Sequence, residues 1–489
     1  MSSRRLLVMK FGGTSLGEGA RFRDCAAIVG QATRQDRVIV VVSAVAGVTD
    51  LIFRAFEAAR HGDSAAVDAQ LRKFDSVHRE LMAYLFDGEA LVLALEFLAA
   101  IFSRLERSVQ ALLALRSAIS SETTDSLVAL GEQISAWVFA ACLEQMGCAS
   151  GFVRAEDVII TDNNFGNAAP DYAATGTSCR RALLPVLDRG AVPVVAGYSG
   201  ATHEGRTTTL GRGGSDYSAT IIGAAAGADE VWIWTDVDGV LTADPRICPG
   251  AATLPEISFA EAIELAYYGA KVIHPKAAYP AADAGFPVWI KNSFRPQAPG
   301  TRITSSPRSL NSPVKSVTCV KHATLLALAS RRDVHPMELW GRLFLRLGQE
   351  HIETLFATQS SPEHALGLVL RQEDCPRVQR LINAVFRIEL AQGVLNPVKV
   401  SDVAVVAVLG ESMKGTCGIL GRVFSAVALR QVSVIAVAQG ARELSICFAV
   451  PAPSATEVVR AIHNEFFVQA DFAVPVCLRP KVTPISSMR

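Results

Sequence analysis

The sequence predicts an α/β protein: a largely parallel sheet sandwiched by helices, followed by two smaller βαββαβ modules of the ferredoxin-like kind. Three observations carry this. Short β-branched runs alternate with glycine turns and helical stretches as far as about Ser293. A stretch rich in proline and basic residues then breaks the pattern between 294 and 316. Beyond it the chain repeats itself at an offset of 80 residues, Leu339-Trp340-Gly341-Arg342-Leu343-Phe344 falling on Ile419-Leu420-Gly421-Arg422-Val423-Phe424.

The first strands are Leu6–Met9, Arg37–Val42, Ala191–Ala196, Glu230–Trp234 and Pro287–Ile290. Their apolar residues run on instead of alternating with polar ones, as in strands buried on both faces, so the sheet is parallel and covered by helices. Ligands of such sheets bind beyond the carboxyl ends of the strands. Here those ends run into Phe11-Gly12-Gly13-Thr14-Ser15, Ser43-Ala44-Val45-Ala46-Gly47-Val48-Thr49, Gly197 and Thr235-Asp236. Between 294 and 316, Pro296, Pro299, Pro307 and Pro313 stand among Arg295, Arg302, Arg308 and Lys315 with no acid, which marks a boundary. The expected organisation is a first domain over 1–305, a linker over 306–316, modules over 317–400 and 401–478, and a tail over 479–489. Each module reads as strand, helix, strand, strand, helix with a further strand such as Phe472–Leu478.

Composition narrows the function. Of 489 residues 50% are hydrophobic and 19% charged, enough to bury a large core and too apolar for disorder. Lysine plus arginine and aspartate plus glutamate each total 47, so no net field favours nucleic acid. The ten cysteines lie singly, without zinc-ligand spacing, and read as small buried residues in a reducing compartment. Apolar stretches such as Val38–Val48 fall short of the roughly 20 residues of a membrane span. The apolar run at Leu6–Met9 is too short for a signal peptide. A cytoplasmic protein with no membrane partner is expected.

The strongest chemical signal is Thr207-Thr208-Thr209-Leu210-Gly211-Arg212-Gly213-Gly214-Ser215-Asp216 running into a helical segment. Its glycines let the backbone approach a ligand, and the first N–H groups of the helix point at it, which makes an anion site. It is neither a P-loop nor GxGxxG, because position 216 is aspartate. The plainer reading is a glycine turn with Ser215 and Asp216 as caps. Arg212 favours the site, since a guanidinium among glycines can grip a carboxylate or phosphate bidentately. Lys10, at a strand end before Gly12, Gly13, Thr14 and Ser15, offers a point charge and backbone donors to a phosphoryl group, or else is an ordinary turn lysine. Asp236, Asp238 and Asp244 share a loop that lacks the closing glutamate of a calcium hand, so no metal site is expected. By helical periodicity Glu132 falls away from the face formed by Leu127, Leu130, Ile134 and Val138 and reads as a solvated residue. His78-Arg79-Glu80 only echoes a protein-kinase triplet, and His274 before Pro275 reads as a packed turn residue.

In order and spacing, Lys10-Phe11-Gly12-Gly13-Thr14-Ser15, Gly205-Arg206-Thr207-Thr208-Thr209-Leu210-Gly211-Arg212-Gly213-Gly214-Ser215-Asp216, Trp234-Thr235-Asp236-Val237-Asp238-Gly239 and Gly269-Ala270-Lys271-Val272-Ile273-His274-Pro275 resemble aspartate kinase, of the amino acid kinase superfamily. The two modules resemble its paired ACT regulatory domains. The resemblance implies the amino acid kinase fold and ATP-dependent phosphorylation of the side-chain carboxylate of L-aspartate to 4-phospho-L-aspartate. That is the entry step to lysine, threonine and methionine. By position it implies catalytic roles for Lys10, which neutralises the transferring phosphoryl group, and Asp216, which holds that lysine. It implies an aspartate pocket of Thr49, Glu132, Arg212, Gly213, Gly214 and Ser215. Lys10, Gly12, Gly13, Thr14, Ser15, Thr235, Asp236, Leu241, Arg246, Lys271 and Val272 are implied for the nucleotide. Magnesium would arrive with the ATP phosphates and their waters.

This chain departs from the family at Leu241, where relatives often have a nucleotide-contacting tyrosine. In the family, amino acid effectors bind at the ACT strand-to-helix turn; Gly418 keeps its glycine in the second module, but the repeat places Glu338 in the first. Leu355 stands where lysine-sensitive relatives present an aspartate, so weak or absent lysine inhibition is expected. A homodimer or larger homo-oligomer is implied by resemblance alone. Two other readings stay open: a different amino acid kinase, such as a glutamate or acetylglutamate kinase, and a catalytically silent amino acid sensor.

Overall fold

The structure, a computed structural model, describes residues 4–116, 119–270, 273–308, 312–330, 336–360, 365–396 and 398–468. It divides into two compact units, one of Met1–Val240, Thr253–Ile263 and Val272–Arg308, the other of Leu241–Ala252, Glu264–Lys271 and Ser309–Arg489.

In the first unit the apolar runs become Leu6–Phe11 (β1), Arg37–Val42 (β2), Ser150–Val153 (β3), Ile160–Thr161 (β4), Val192–Ala196 (β5), Ser199–Thr202 (β6), Thr207–Thr209 (β7), Glu230–Thr235 (β8), Glu256–Ser258 (β9), Val288–Asn292 (β10) and Thr301–Thr304 (β11). Eight of them form one sheet in the order β3-β5-β2-β1-β8-β10-β11-β9. From β3 to β10 every neighbouring pair is parallel, and β11 runs antiparallel to β10. All six residues of β1 are buried, as unalternated β-branched strands require. Because β1 lies between β2 and β8, Lys10 stands near the carboxyl edge of the middle of the sheet.

The helices of this unit are Gly19–Ala32 (α1), Val48–His61 (α2), Ser64–Leu85 (α3), Gly88–Leu115 (α4), Ser121–Val128 (α5), Leu130–Gln145 (α6), Tyr172–Asp188 (α7), Gly214–Ala226 (α8), Phe259–Tyr267 (α9), which runs across the division at Ile263/Glu264, and Pro275–Ala284 (α10). One core joins β1, β2 and β5 to residues of α1–α6, with Phe11 stacked 5.5 Å from Phe139 and 6.0 Å from Trp234. Truncating such a ring to alanine costs about 3–5 kcal/mol. His78 of α3 is buried in this core with its Nδ1 2.7 Å from the Phe74 carbonyl oxygen, and burial pushes its pKa down to about 4. The kinase-like triplet is therefore packing.

One correction concerns apolar length. Ser121–Gln145, the run of α5 and α6, is long and apolar enough to cross a membrane, but 78% of its most apolar window is buried within the protein. An interior helix is apolar on every side for the same reason a membrane helix is.

The second unit holds Ser316–Ala329 (β12), Pro336–Gln349 (α11), Phe356–Ser360 (β13), Ala365–Arg371 (β14), Cys375–Val385 (α12), Arg387–Ala391 (α13), Lys399–Leu409 (β15), Ile419–Ala428 (α14), Ala436–Gln439 (β16), Ser445–Pro451 (β17) and Ala455–His463 (α15). The strand-helix-strand-strand-helix order thus occurs twice, in one six-stranded sheet ordered β13-β14-β12-β15-β17-β16. The long central strands serve both modules. Ser316–Val320 of β12 pairs with the half of β15 that also pairs with β17, whereas Ala323–Ala327 pairs with β14 and with the start of β15. A bulge at Lys321 and His322 separates the halves. The expected strand at Phe472–Leu478, and the tail, lie outside the described residues. The repeat keeps an ion pair as well: Arg342 of α11 pairs with Glu389, and Arg422 of α14 lies 2.7 Å from Glu465.

Two segments before the expected boundary belong to this unit by packing. Ala243, Ile247 and Cys248 join the core of the second module. Thr242 Oγ1 lies 3.0 Å from His463 Nε2, and the Tyr268 hydroxyl lies 2.9 Å from Cys447 Sγ. A cut in the chain near 305 cannot show such insertions, because each is a short segment, one a loop and one the end of α9 with the turn after it, between stretches of the other unit. The reading of the cysteines also needs amending: Cys417 is exposed, and Cys148 and Cys319 are half-buried.

Candidate active site

The phosphate end of the site is local. After β1 the chain turns at once: Gly12 N–H donates to the Trp234 carbonyl at 3.2 Å, and Ser15 N–H donates to the Gly12 carbonyl at 3.0 Å. A Cβ on Gly13 would lie 2.9 Å from the Ala44 carbonyl oxygen, so only glycine lets the β1 and β2 tips come this close. Opposite, α8 is capped by Gly213, whose φ of +72° a side chain would resist. Its first turn carries Asp216, whose carboxylate sits 2.5 Å from Lys10 Nζ, with the side chains 11% (Lys10) and 19% (Asp216) exposed. Removal from water strengthens this pair and fixes the ammonium beside the free N–H groups of α8. The plainer cap-and-turn reading of both motifs fails to explain a buried lysine.

The other end is assembled from distant segments. Glu132 in the first turn of α6 is 4% exposed, against the solvated position that periodicity gives it. α6 is covered on all sides, so falling off one apolar face does not place a residue in water. Glu132 Oε2 has no hydrogen-bond partner, and burial pushes its pKa up to about 8. Thr49 is half-buried in the first turn of α2. Arg212 is exposed, and among the described residues its side chain has no polar partner, which leaves its fork of donors available. Ser215 packs against Gly197, where an added Cβ would approach Ser215 Cβ to 2.8 Å.

Two residues here carry no signal in their local sequence. Asp125 of α5 is buried and accepts from Gly166 N, Thr209 N and Thr209 Oγ1, each at 2.8 Å, tying the loop before α7 to β7. Tyr198 holds φ +68°, uncommon for a residue with a side chain. Its N–H donates to Ser218 Oγ at 2.9 Å, and its carbonyl accepts from Leu210 N–H at 2.9 Å. Only the position after a strand-end glycine could have drawn attention to Tyr198. His274 caps α10, its Nδ1 accepting from Lys276 N–H at 3.3 Å, and packs where a Cβ on Gly213 would stand. Lys276 Nζ donates to Asn167 Oδ1, and burial lowers its pKa.

The residues expected at the nucleotide are distributed unevenly. Gly12, Gly13, Thr14, Thr235 and Asp236 sit at the tips of β1 and β8, and Thr235 Oγ1 donates to Asp236 Oδ1 at 3.1 Å. Ser15 is fully buried, its Oγ 2.8 Å from Ser293 Oγ and 3.5 Å from the Trp234 carbonyl oxygen, so it braces the turn and does not face a ligand. Leu241 and Arg246 lie in the segment that packs with the second unit. There the Leu241 carbonyl accepts from Ser316 Oγ at 2.9 Å. Arg246, its side chain 88% exposed, grips both oxygens of Asp244 and holds that carboxyl below its ordinary range. Lys271 and Val272 lie outside the described residues. Two of the three acids of this loop have basic partners, Asp238 in Arg295, with the Asn292 amide also donating to it, and Asp244 in Arg246.

Comparison with known proteins shows the family. The model of the amino acid kinase family matches residues 5–292, and that of the ACT domain matches 406–466. Lysine-sensitive aspartokinase 3 of Escherichia coli is 32% identical over 475 residues, covering 94% of this chain and 99% of that protein. A bifunctional aspartokinase/homoserine dehydrogenase of Haemophilus influenzae is 30% identical over 467 residues, and there the chain spans 56% of the relative's length. Among solved structures, E. coli aspartokinase III with aspartate and ADP superposes with a TM-score of 0.78 at 30% identity, covering 94% of this chain and 100% of that one. The same enzyme with lysine and aspartate gives 0.77 at 31%, covering 94% and 99%.

Proposed function

Because the chain belongs to the amino acid kinase family and, within it, to the aspartokinases, we propose that it transfers the γ-phosphoryl group of ATP to the side-chain carboxylate of L-aspartate, giving 4-phospho-L-aspartate and ADP. The observation that carries this reading is the buried Lys10–Asp216 pair at 2.5 Å, set between a glycine turn and the start of α8. Phosphoryl transfer asks a protein mainly to position reactants and neutralise charge, and a carboxylate nucleophile needs no general base. Lys10 meets the charge on the transferring group, and Asp216 holds Lys10 in place. The free fork of Arg212 takes the α-carboxylate, and Glu132, whose Oε2 lacks a partner, takes the α-ammonium, with Thr49, Gly213, Gly214 and Ser215 closing the pocket. Gly12, Gly13, Thr14, Thr235 and Asp236 line the nucleotide side. Magnesium, arriving with the ATP phosphates and their waters, would supply further charge neutralisation.

The catalytic domain comprises the first unit, and the two ACT modules of the second regulate it. Free cysteines suit a reducing cytoplasm. The product serves lysine, threonine and methionine synthesis, and the enzyme works as a homodimer or larger homo-oligomer. Lysine regulates it weakly or not at all, since Glu338 stands in the first turn of α11 at the repeat position where Gly418 caps α14, and Leu355 is buried. Strong inhibition of the purified enzyme by sub-millimolar lysine would overturn that last point. The activity itself is tested by an ADP-release assay with ATP, magnesium and L-aspartate. Equal rates with L-glutamate, or no turnover with any amino acid, would overturn it.

A further inference from the structure

We propose that the second unit carries a binding site for a small phosphate-bearing anion at the bulge of β12, apart from the helix starts at Glu338 and Gly418 where amino acid effectors are expected. A cavity of about 480 Å³ opens there, lined by Val320, Lys321, His322, Arg371, Gln372 and Glu373. That volume suits a small molecule. The bulge creates it: the register of β12 shifts between Val320 and Ala323, so Lys321 and His322 pair with neither β14 nor β15. Two basic side chains are thereby released from the ladder side by side, both exposed.

The third basic group is better fixed. Arg371 ends β14, half-buried, and its Nη2 donates to the Tyr267 carbonyl at 3.0 Å. A guanidinium has five N–H donors, so this bond orients the fork and leaves donors over for a ligand. Among the described residues, Lys321, His322 and Glu373 have no side-chain hydrogen bond or ion pair. The Asp244 carboxyl feels the charge of Lys321, but both Asp244 oxygens are already gripped by Arg246. Lysine, arginine and histidine thus face one carboxylate, that of Glu373. An ammonium and a guanidinium fork around one small cavity match the several oxygens and double charge of a phosphate group better than a single carboxylate. The other large cavity, about 730 Å³ along α1 and the turn after α6, has Arg34 as its one charged lining residue and offers no such match.

The test is calorimetric titration of the full chain with inorganic phosphate and, separately, with O-phospho-L-serine, at low ionic strength and with saturating ADP to fill the proposed catalytic phosphate positions. One equivalent should bind with a dissociation constant of about 1 mM or tighter. Lys321→Gln and Arg371→Gln should each weaken it about tenfold or more. Saturable binding of orthophosphate identifies free phosphate as a ligand, and binding of phosphoserine alone identifies a phosphomonoester. Lys321 is exposed and Lys321→Gln is expected to fold, so binding that is absent, or unchanged in that variant, would overturn the proposal.

Discussion

The phosphate end and the amino acid end of the candidate site are built in opposite ways. At the phosphate end, Lys10 and the glycines of the turn are neighbours in sequence, and Asp216 faces them from the first turn of α8. At the amino acid end, Glu132, Asp125, Thr49 and Tyr198 come from α6, α5, α2 and the turn after β5. The difference follows from the ligands. A phosphate is met by backbone N–H groups, which demand contiguous glycines and a helix start. An amino acid is met by side chains, which can arrive from any element that reaches the pocket.

If this contrast is right, the largest loss comes from the phosphate end. Lys10→Met should fold, since it keeps the stem of the side chain, yet lower kcat by about a thousandfold or more by removing the charge that meets the phosphoryl group. Steady-state ADP release measures it. A variant retaining a tenth of wild-type kcat would move the phosphoryl group away from Lys10.

A smaller effect, and of another kind, is expected from Arg212→Ala. Its fork serves substrate in the ground state and the transition state alike, so the aspartate KM should rise about tenfold to a hundredfold while kcat changes little. A fall in kcat at unchanged KM would instead put Arg212 on the transferring group and erase the distinction between the two ends.

Glu132 gives the amino acid end a pH signature. Burial raises its pKa to about 8, so the free enzyme holds it largely protonated at pH 7. Pairing with an ammonium requires the carboxylate, and aspartate binding must then release a proton below pH 8. The aspartate KM should therefore fall as pH rises from 6.5 to 8, by up to about tenfold per unit, and level off above. Glu132→Gln should show a raised and pH-independent KM. A flat wild-type profile between pH 6.5 and 8 would mean that Glu132 does not bind the ammonium.

The same contrast explains what the sequence makes legible. The sheet could be read because unalternated runs such as Val38–Val42 have few other homes, and the modules because a repeat announces itself. Lys10 and Asp216 could be read because the backbone chemistry around them needs glycine at fixed spacing. Glu132 could not be read from its own residues. Helical periodicity presumes one apolar face and one wet face, and α6 has no wet face. Asp125 was invisible because what marks it, three hydrogen bonds to Gly166 and Thr209, exists only once the chain has folded. The packing of the segments 241–252 and 264–271 with the second unit could not be read, because partners far along the chain decide which core a segment joins.

Ser15 is where motif and geometry disagree within the phosphate end itself, and it carries the smallest predicted effect. The motif puts its hydroxyl on the nucleotide; the structure buries it against Ser293 Oγ and the Trp234 carbonyl. Ser15→Ala removes a buried hydrogen bond, costing about 1 kcal/mol of stability, and leaves the Ser293 hydroxyl its 3.1 Å bond to the Thr235 carbonyl. The ATP KM and kcat should each stay within about threefold of wild type while the midpoint of urea unfolding falls. Because Gly12 N–H still anchors the turn to Trp234, the loop keeps its shape without the hydroxyl. A tenfold rise in ATP KM with unchanged stability would mean that the hydroxyl turns outward to the nucleotide, and the phosphate end would then depend on side chains as the amino acid end does.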